Sequence, residues 1–149
     1  MNKKIVFIFA VILSILLIGC VSAGFFDFFK HGNDSTDVKV TEGGQYCTPY
    51  EVAAYIKAYH KLPSNFITKK QARDLGWKGG PLKDYAPGMS IGGDVFTNRQ
   101  NVLPASDYKY IECDINANGT SRGAERIVYN TGDFKVYYTT DHYKTFREI

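Results

Sequence analysis

Only three histidines occur in the 149 residues, His31, His60 and His142. His142 lies in "YYTTDHYKTF", beside an aspartate and a tyrosine and behind a run of Tyr and Thr. An imidazole there is either a surface residue without a task or one half of an acid–base pair, because histidine alone titrates near neutrality with an unperturbed side chain. His60 has a simpler account. It falls at the end of a helical pattern, where a protonated ring meets the negative end of the helix dipole. Of the three cysteines, Cys47 and Cys113 remain in any exported form of the chain. An even pair outside the cytoplasm points to a disulfide. Such a bridge closes a loop of roughly 65 residues and contributes about 4 kcal/mol on the loop-entropy model.

The elements that must hold these side chains are legible from caps and periods. Thr48 as N-cap, Pro49 as first helical residue and Glu51 three residues on open a helix. Val52, Tyr55, Ile56 and Tyr59 then recur at helical spacing. A second helix is expected over Thr68 to Gly76, and a short third one through "PLKDYA". Beyond Pro87 the pattern changes to β-rich runs at Ile91–Phe96, Tyr108–Ile115, Arg126–Tyr129, Phe134–Thr139 and Thr145–Glu148, parted by Gly, Asn and Asp. Helices first and strands after indicate an α+β fold, with the helices on one face of an antiparallel sheet of about five strands.

The N-terminus speaks to place. "MNKK" precedes an apolar run of 17 residues and then "VSAG", the three-part form of a secretory signal cut after Ala23. "LIGC", ending at Cys20, fits a bacterial lipobox instead, and the two outcomes exclude each other. Plain secretion is the favoured expectation, with a lipid anchor at the outer membrane face as the alternative. Membrane attachment is expected only if Cys20 is lipidated or the signal stays uncleaved. The organisation is therefore a signal at 1–23, a flexible polar leader at 24–45, and one domain at 46–149. From Gly44 onward 14 Lys/Arg stand against 11 Asp/Glu. That mild basicity permits a polyanionic ligand without demanding one.

Five blocks, "AYHKLPSNFITKKQARDLGW", "APGMSIGGDVFTNR", "LP…ECDIN", "RIVY" and "TTDHYKTF", resemble in order the barnase-like family of secreted, guanyl-preferring microbial ribonucleases. The resemblance runs from about Thr48 to Phe146. It implies an extracellular endoribonuclease acting on single-stranded RNA, without metal or other cofactor, by transesterification to a 2′,3′-cyclic phosphate and then hydrolysis. Glu112 matches the family's general base and His142 its general acid. Free carboxylate and imidazolium side chains coexist between roughly pH 4.3 and 6.5, so a bell-shaped pH profile is expected. Lys69, Arg122 and Arg126 match the cations that hold the phosphate and its transition state, a role suited to the arginine fork. Asp94 matches the aspartate that orients the lysine. "FTNRQ" matches the guanine-recognition loop, with Thr97, Asn98, Arg99 and Gln100 around the base and Phe96 and Tyr143 as aromatic faces.

Two departures qualify the match. The family commonly has glutamate where this chain has Gln100. An amide offers one neutral acceptor and a donor in place of two charged acceptors, so a weaker or shifted preference for guanine is expected. The cysteine pair is this chain's own. Strand alternation turns Cys113 away from Glu112, toward the helices and the region of Cys47. The expected partners are RNA and a barstar-like acidic protein inhibitor, and the expected state is a monomer. The competing reading is a non-catalytic, surface-anchored module that binds RNA or a partner on the same fold. Retention of both Glu112 and His142 argues against it. A metal-dependent deoxyribonuclease is poorly supported, since neither zinc-ligand spacing nor a helical HExxH occurs.

Overall fold

The computed structural model describes residues 38–149. The signal segment with Ala23 and Cys20, and residues 24–37 of the leader, lie outside the described residues. Residues 38–45, which composition assigned to the leader, are tied to the domain. Gly43 N donates to Tyr55 Oη at 3.0 Å, Thr41 N to Tyr46 Oη at 3.0 Å, and Tyr59 Oη to Val40 O at 3.3 Å.

Helix α1, Pro49–Tyr59, starts at the expected cap. The reciprocal box does not form, because the Thr48 hydroxyl donates to the Glu51 carboxylate (2.5 Å) instead of accepting from the backbone. Val52, Ala53, Tyr55 and Ile56 are its buried residues. His60 ends it in the left-handed region (φ 59°), donating its N–H to Ile56 O and stacking its ring on Phe134 at 3.9 Å. His60 is thus packed into the end of the helix by its stack on Phe134. Helix α2, Lys69–Asp74, has the full capping box, with Thr68 and Gln71 each satisfying the other's backbone N–H. The expected third helix at "PLKDYA" is not formed. Its six residues, between Gly80 and Pro87, are too few to offset helix nucleation. They make turns instead, and the backbone N–H groups of Leu82 and Lys83 go to Gly119 O.

The sheet has six strands in sequence order: β1 Phe66–Ile67, β2 Ser90–Phe96, β3 Tyr110–Asp114, β4 Arg126–Asn130, β5 Val136–Thr139 and β6 Arg147–Glu148. All neighbours are antiparallel except β1 and β2. The α+β architecture is as expected, with one strand more, since the two residues of β1 are too short to show a period.

Strand alternation sorts the side chains into two layers. Cys113, Ile115, Ile127, Tyr129, Val136 and Tyr138 pack with Val52, Ala53 and Ile56 of α1. On the other face Tyr110, Val128 and Tyr137 pack with Phe96 at the end of β2 and with Leu103, Tyr143 and Phe146 from the loops. A third cluster, Ala72, Trp77, Leu82, Ala86 and Ile91, seats α2.

The expected disulfide is absent: Cys47 and Cys113 are both free thiols. Cys113 does face α1, as alternation required, and is buried there. Cys47 lies level with Asn116, whose N–H donates to Cys47 O at 2.9 Å. β3 ends at Asp114, and Cys47 is held at the bend beyond it rather than alongside the strand that carries Cys113. Burial pushes the Cys113 thiol above its ordinary range.

Candidate active site

The face of the sheet opposite α1 collects the charged residues. Glu112 and Asp114 project from it two positions apart on β3, and Arg126 stands opposite Asp114 in the register of β4. The Asp114 carboxylate is the hub of the arginines. Arg122 grips it through Nε at 2.5 Å and Nη2 at 3.1 Å, and Arg126 Nε meets it at 2.9 Å. Arg126 Nη1 also donates to Gly123 O and Glu125 O, both at 2.7 Å. The Arg122 guanidinium sits 5.5 Å over the Trp77 ring. Asp114 and Arg126 are both buried, and mutual pairing is what makes burial of such charges tolerable.

Lys69 reaches the same face from the first turn of α2. Its Nζ stands 2.7 Å from Glu112 Oε1. Asp94 sets it in place through the backbone, accepting from Lys69 N at 2.9 Å. The register explains how. Gly92 pairs with Cys113 and Asp94 with Glu112, so Gly93 is an extra residue at a β-bulge. It adopts φ +104°, a conformation that favours glycine, and the bulge re-aims Asp94 toward the start of α2.

His142 comes from the turn after β5. It is exposed, adopts φ 55°, and donates its N–H to Ala124 O at 3.2 Å. Asp141 shapes this turn. Its carboxylate accepts from Thr139 Oγ1, Lys144 N, Thr145 N and Thr145 Oγ1. Those bonds, led by the Thr145 hydroxyl, hold it down at about 2. Tyr143 lies under the Arg126 guanidinium at 5.9 Å. Burial, then the charge of Glu112, raises its phenol well above the usual range.

Phe96, Thr97, Arg99, Gln100, His142 and Tyr143 line a cleft of about 320 Å³. Phe96 and Tyr143 stack on each other at 5.3 Å to make its floor. Asn98 also lines it, but its side chain is occupied in the loop: Nδ2 donates to Leu103 O and Oδ1 accepts from Leu103 N. That pair closes the loop 97–103 on itself.

The structure pairs Lys69 with Glu112 and Asp94, gathers Arg122 and Arg126 on Asp114, and places Arg99 and His142 in the cleft; the cysteine pair is not joined. Sequence reading missed Asp114, Asp141 and the loop-closing role of Asn98. Asp114 carried a signal, since it follows Glu112 at the strand period of two. Among the described residues no group of three or more His, Cys, Asp or Glu is placed to hold a metal ion.

Comparison with known proteins agrees with this constellation. A family model described as ribonuclease matches residues 50–149. The chain is 52% identical over 101 residues to a ribonuclease of Heyndrickxia coagulans, covering 66% of this chain and 92% of that one. It is 52% identical over 101 residues to a ribonuclease of Bacillus intermedius, covering 66% of this chain but only 62% of that relative's length. Guanyl-specific ribonuclease Sa3 of Kitasatospora aureofaciens is 36% identical over 93 residues, covering 61% of this chain and 60% of that one. With the matched stretch taking in every strand and every charged residue of the site, the chain belongs to the ribonuclease family.

Proposed function

We propose that this chain is an extracellular endoribonuclease that cleaves single-stranded RNA by attack of the substrate's own 2′-hydroxyl. The observation that carries the reading is the Glu112 carboxylate, 2.7 Å from Lys69 Nζ, on the sheet face that holds both arginines and beside the cleft that contains His142. Glu112 takes the 2′-hydroxyl proton, and the 2′-oxygen bonds to phosphorus. The bond to the 5′-oxygen breaks, and His142 supplies that oxygen's proton. The product is a 2′,3′-cyclic phosphate. Water then opens the ring with the proton-transfer roles reversed.

Lys69, Arg122 and Arg126 offset the charge that grows on the phosphoryl oxygens. Arg122 spends Nε and Nη2 on Asp114, which leaves Nη1 for a phosphate. The nucleophile belongs to the substrate, so the chemistry calls for no metal. Secretion as a monomer, and inhibition by a barstar-like acidic protein directed at the same cations, belong to the same reading.

Base choice falls to the loop 97–103. A relative bears the name guanyl-specific ribonuclease, and guanine is the base expected in the cleft. Gln100 weakens that preference because it lacks the paired acceptors of a carboxylate. Gln100→Glu is expected to raise selectivity for guanine about tenfold, corresponding to roughly 1–3 kcal/mol for a mispaired polar group. Relative kcat/KM on GpA and ApA reads it out, and an unchanged ratio rejects that role for Gln100.

The first experiment is cleavage of GpA, ApA, CpA and UpA in EDTA by the domain and by its His142→Ala variant. Rapid cleavage that the variant loses is the expected result. A folded domain that leaves all four intact overturns the reading and favours a non-catalytic binding module.

A further inference from the structure

A second groove, of about 410 Å³, adjoins the cleft and shares Phe96, Thr97 and Asn98 with it. From there it runs to Tyr108 and Lys109 and contains none of Glu112, Lys69 or His142. Tyr108 is 64% exposed, the most exposed of the large apolar residues among those described. Its ring is nevertheless held in place. A Cβ on Gly132 would run into the ring, so one aromatic face is seated on glycine backbone. The chain on either side is pinned as well. Tyr108 N donates to Ser106 Oγ, which also accepts from Asn130 Nδ2, and Thr131 N donates to Lys109 O. The result is a fixed aromatic plane with one face covered and the other open. Lys109 is the one charged side chain lining the groove among the described residues.

Such a plane beside a cation suits a nucleotide, because any base stacks on an aromatic face and an ammonium suits its phosphate. Strand polarity decides which nucleotide. If the cleft reads the base whose 3′-phosphate lies at Glu112 and His142, the chain after the cleaved bond departs on the catalytic side. The chain before it is free to enter the groove through Phe96, Thr97 and Asn98. We propose that this groove is a second nucleotide subsite, in which Tyr108 stacks the base 5′ to the one in the cleft and Lys109 meets the phosphate between them. This rests on the ribonuclease reading above and names a further part of its substrate.

The test compares GpA with dApGpA, whose first sugar lacks a 2′-hydroxyl so that only the bond after G is cleavable. Wild type is expected to favour dApGpA about tenfold in kcat/KM, chiefly through KM, as one stacked base would provide. Tyr108→Ala should erase that gain and cleave GpA close to wild type, while Tyr108→Trp, which keeps the aromatic face, retains it. The subsite is overturned if wild type treats the two substrates alike, or if Tyr108→Ala slows both equally, which marks a purely structural ring. Failure of the underlying reading looks different: wild type then leaves GpA itself intact, and the subsite falls with it.

Discussion

Strands β3, β4 and β5 present two unlike faces to two unlike covers. Toward α1 they turn Cys113, Ile127, Tyr129, Val136 and Tyr138, an apolar layer closed by Val52, Ala53 and Ile56. Toward the loops they turn Glu112, Asp114, Arg126 and Thr139, with Asp114, Arg126 and Thr139 all buried. The first face stabilises by removing apolar surface from water, at about 25 cal/mol per Å². The second buries charge, which is unfavourable unless every group is paired. A period of two lets one strand serve both: the residues packed under α1 alternate with a second set that carries the site's charge together with the apolar Tyr110, Val128 and Tyr137. Their effects should then be separable by substitution.

The sharpest separation is expected at Glu112. Glu112→Gln should lower kcat/KM on GpA by about 10²- to 10⁴-fold, the usual worth of a positioned general base. The midpoint of thermal unfolding should stay close to wild type. Melting in parallel with the lost activity would break the distinction between the faces.

Asp114 is where the distinction should fail. It lies on the charged face, yet Asp114→Ala leaves Arg122 and Arg126 without their shared partner, and removing one member of a buried pair typically costs about 3–5 kcal/mol. Urea denaturation should register that loss together with a fall in kcat, because the same carboxylate aims both guanidinium groups. A stable variant would mean that the arginines find other acceptors. The mirror-image substitution is Ile56→Ala, fully buried under the apolar face. It should cost about 2–5 kcal/mol of stability while kcat per folded molecule is unchanged.

How much of this was legible in the sequence follows the same division. The helical stripe of α1 and the alternation of the strands fixed the α+β architecture, because each has a period long enough to read. Glu112, His142, Lys69, Arg122 and Arg126 stand out in the sequence only as parts of ordered blocks resembling a family, whereas singly each reads as an ordinary surface charge. Asp114 stands in the same "ECDI", where the strand period puts it on the face of Glu112, but its pairing with Arg126 depends on register across the sheet, which no local pattern reveals. Cys47 and Cys113 mislead for the related reason that an even count carries no distance. β1 was too short for any period, and "PLKDYA" had helical composition without the length to nucleate.

The turn that carries His142 offers the smallest and most specific test. Asp141 is held at about 2 against an ordinary 3.8 by its bonds to Thr145, Thr139 and Lys144. A carboxylate whose folded value is depressed binds protons more weakly when folded than when unfolded. Its contribution is therefore complete above about pH 4 and disappears as the pH falls toward about 2. The stability gap between wild type and Asp141→Asn should accordingly be constant near neutrality and close over that acid range. Comparing the two proteins removes the titration of the other carboxylates, which they share. Urea midpoints measured at intervals from pH 6 to pH 2 would show it, and a gap that persists unchanged to pH 2 would mean that the Asp141 charge does not hold the turn. At neutral pH the same variant should lower kcat modestly, because a looser turn leaves His142 less often in position to deliver its proton.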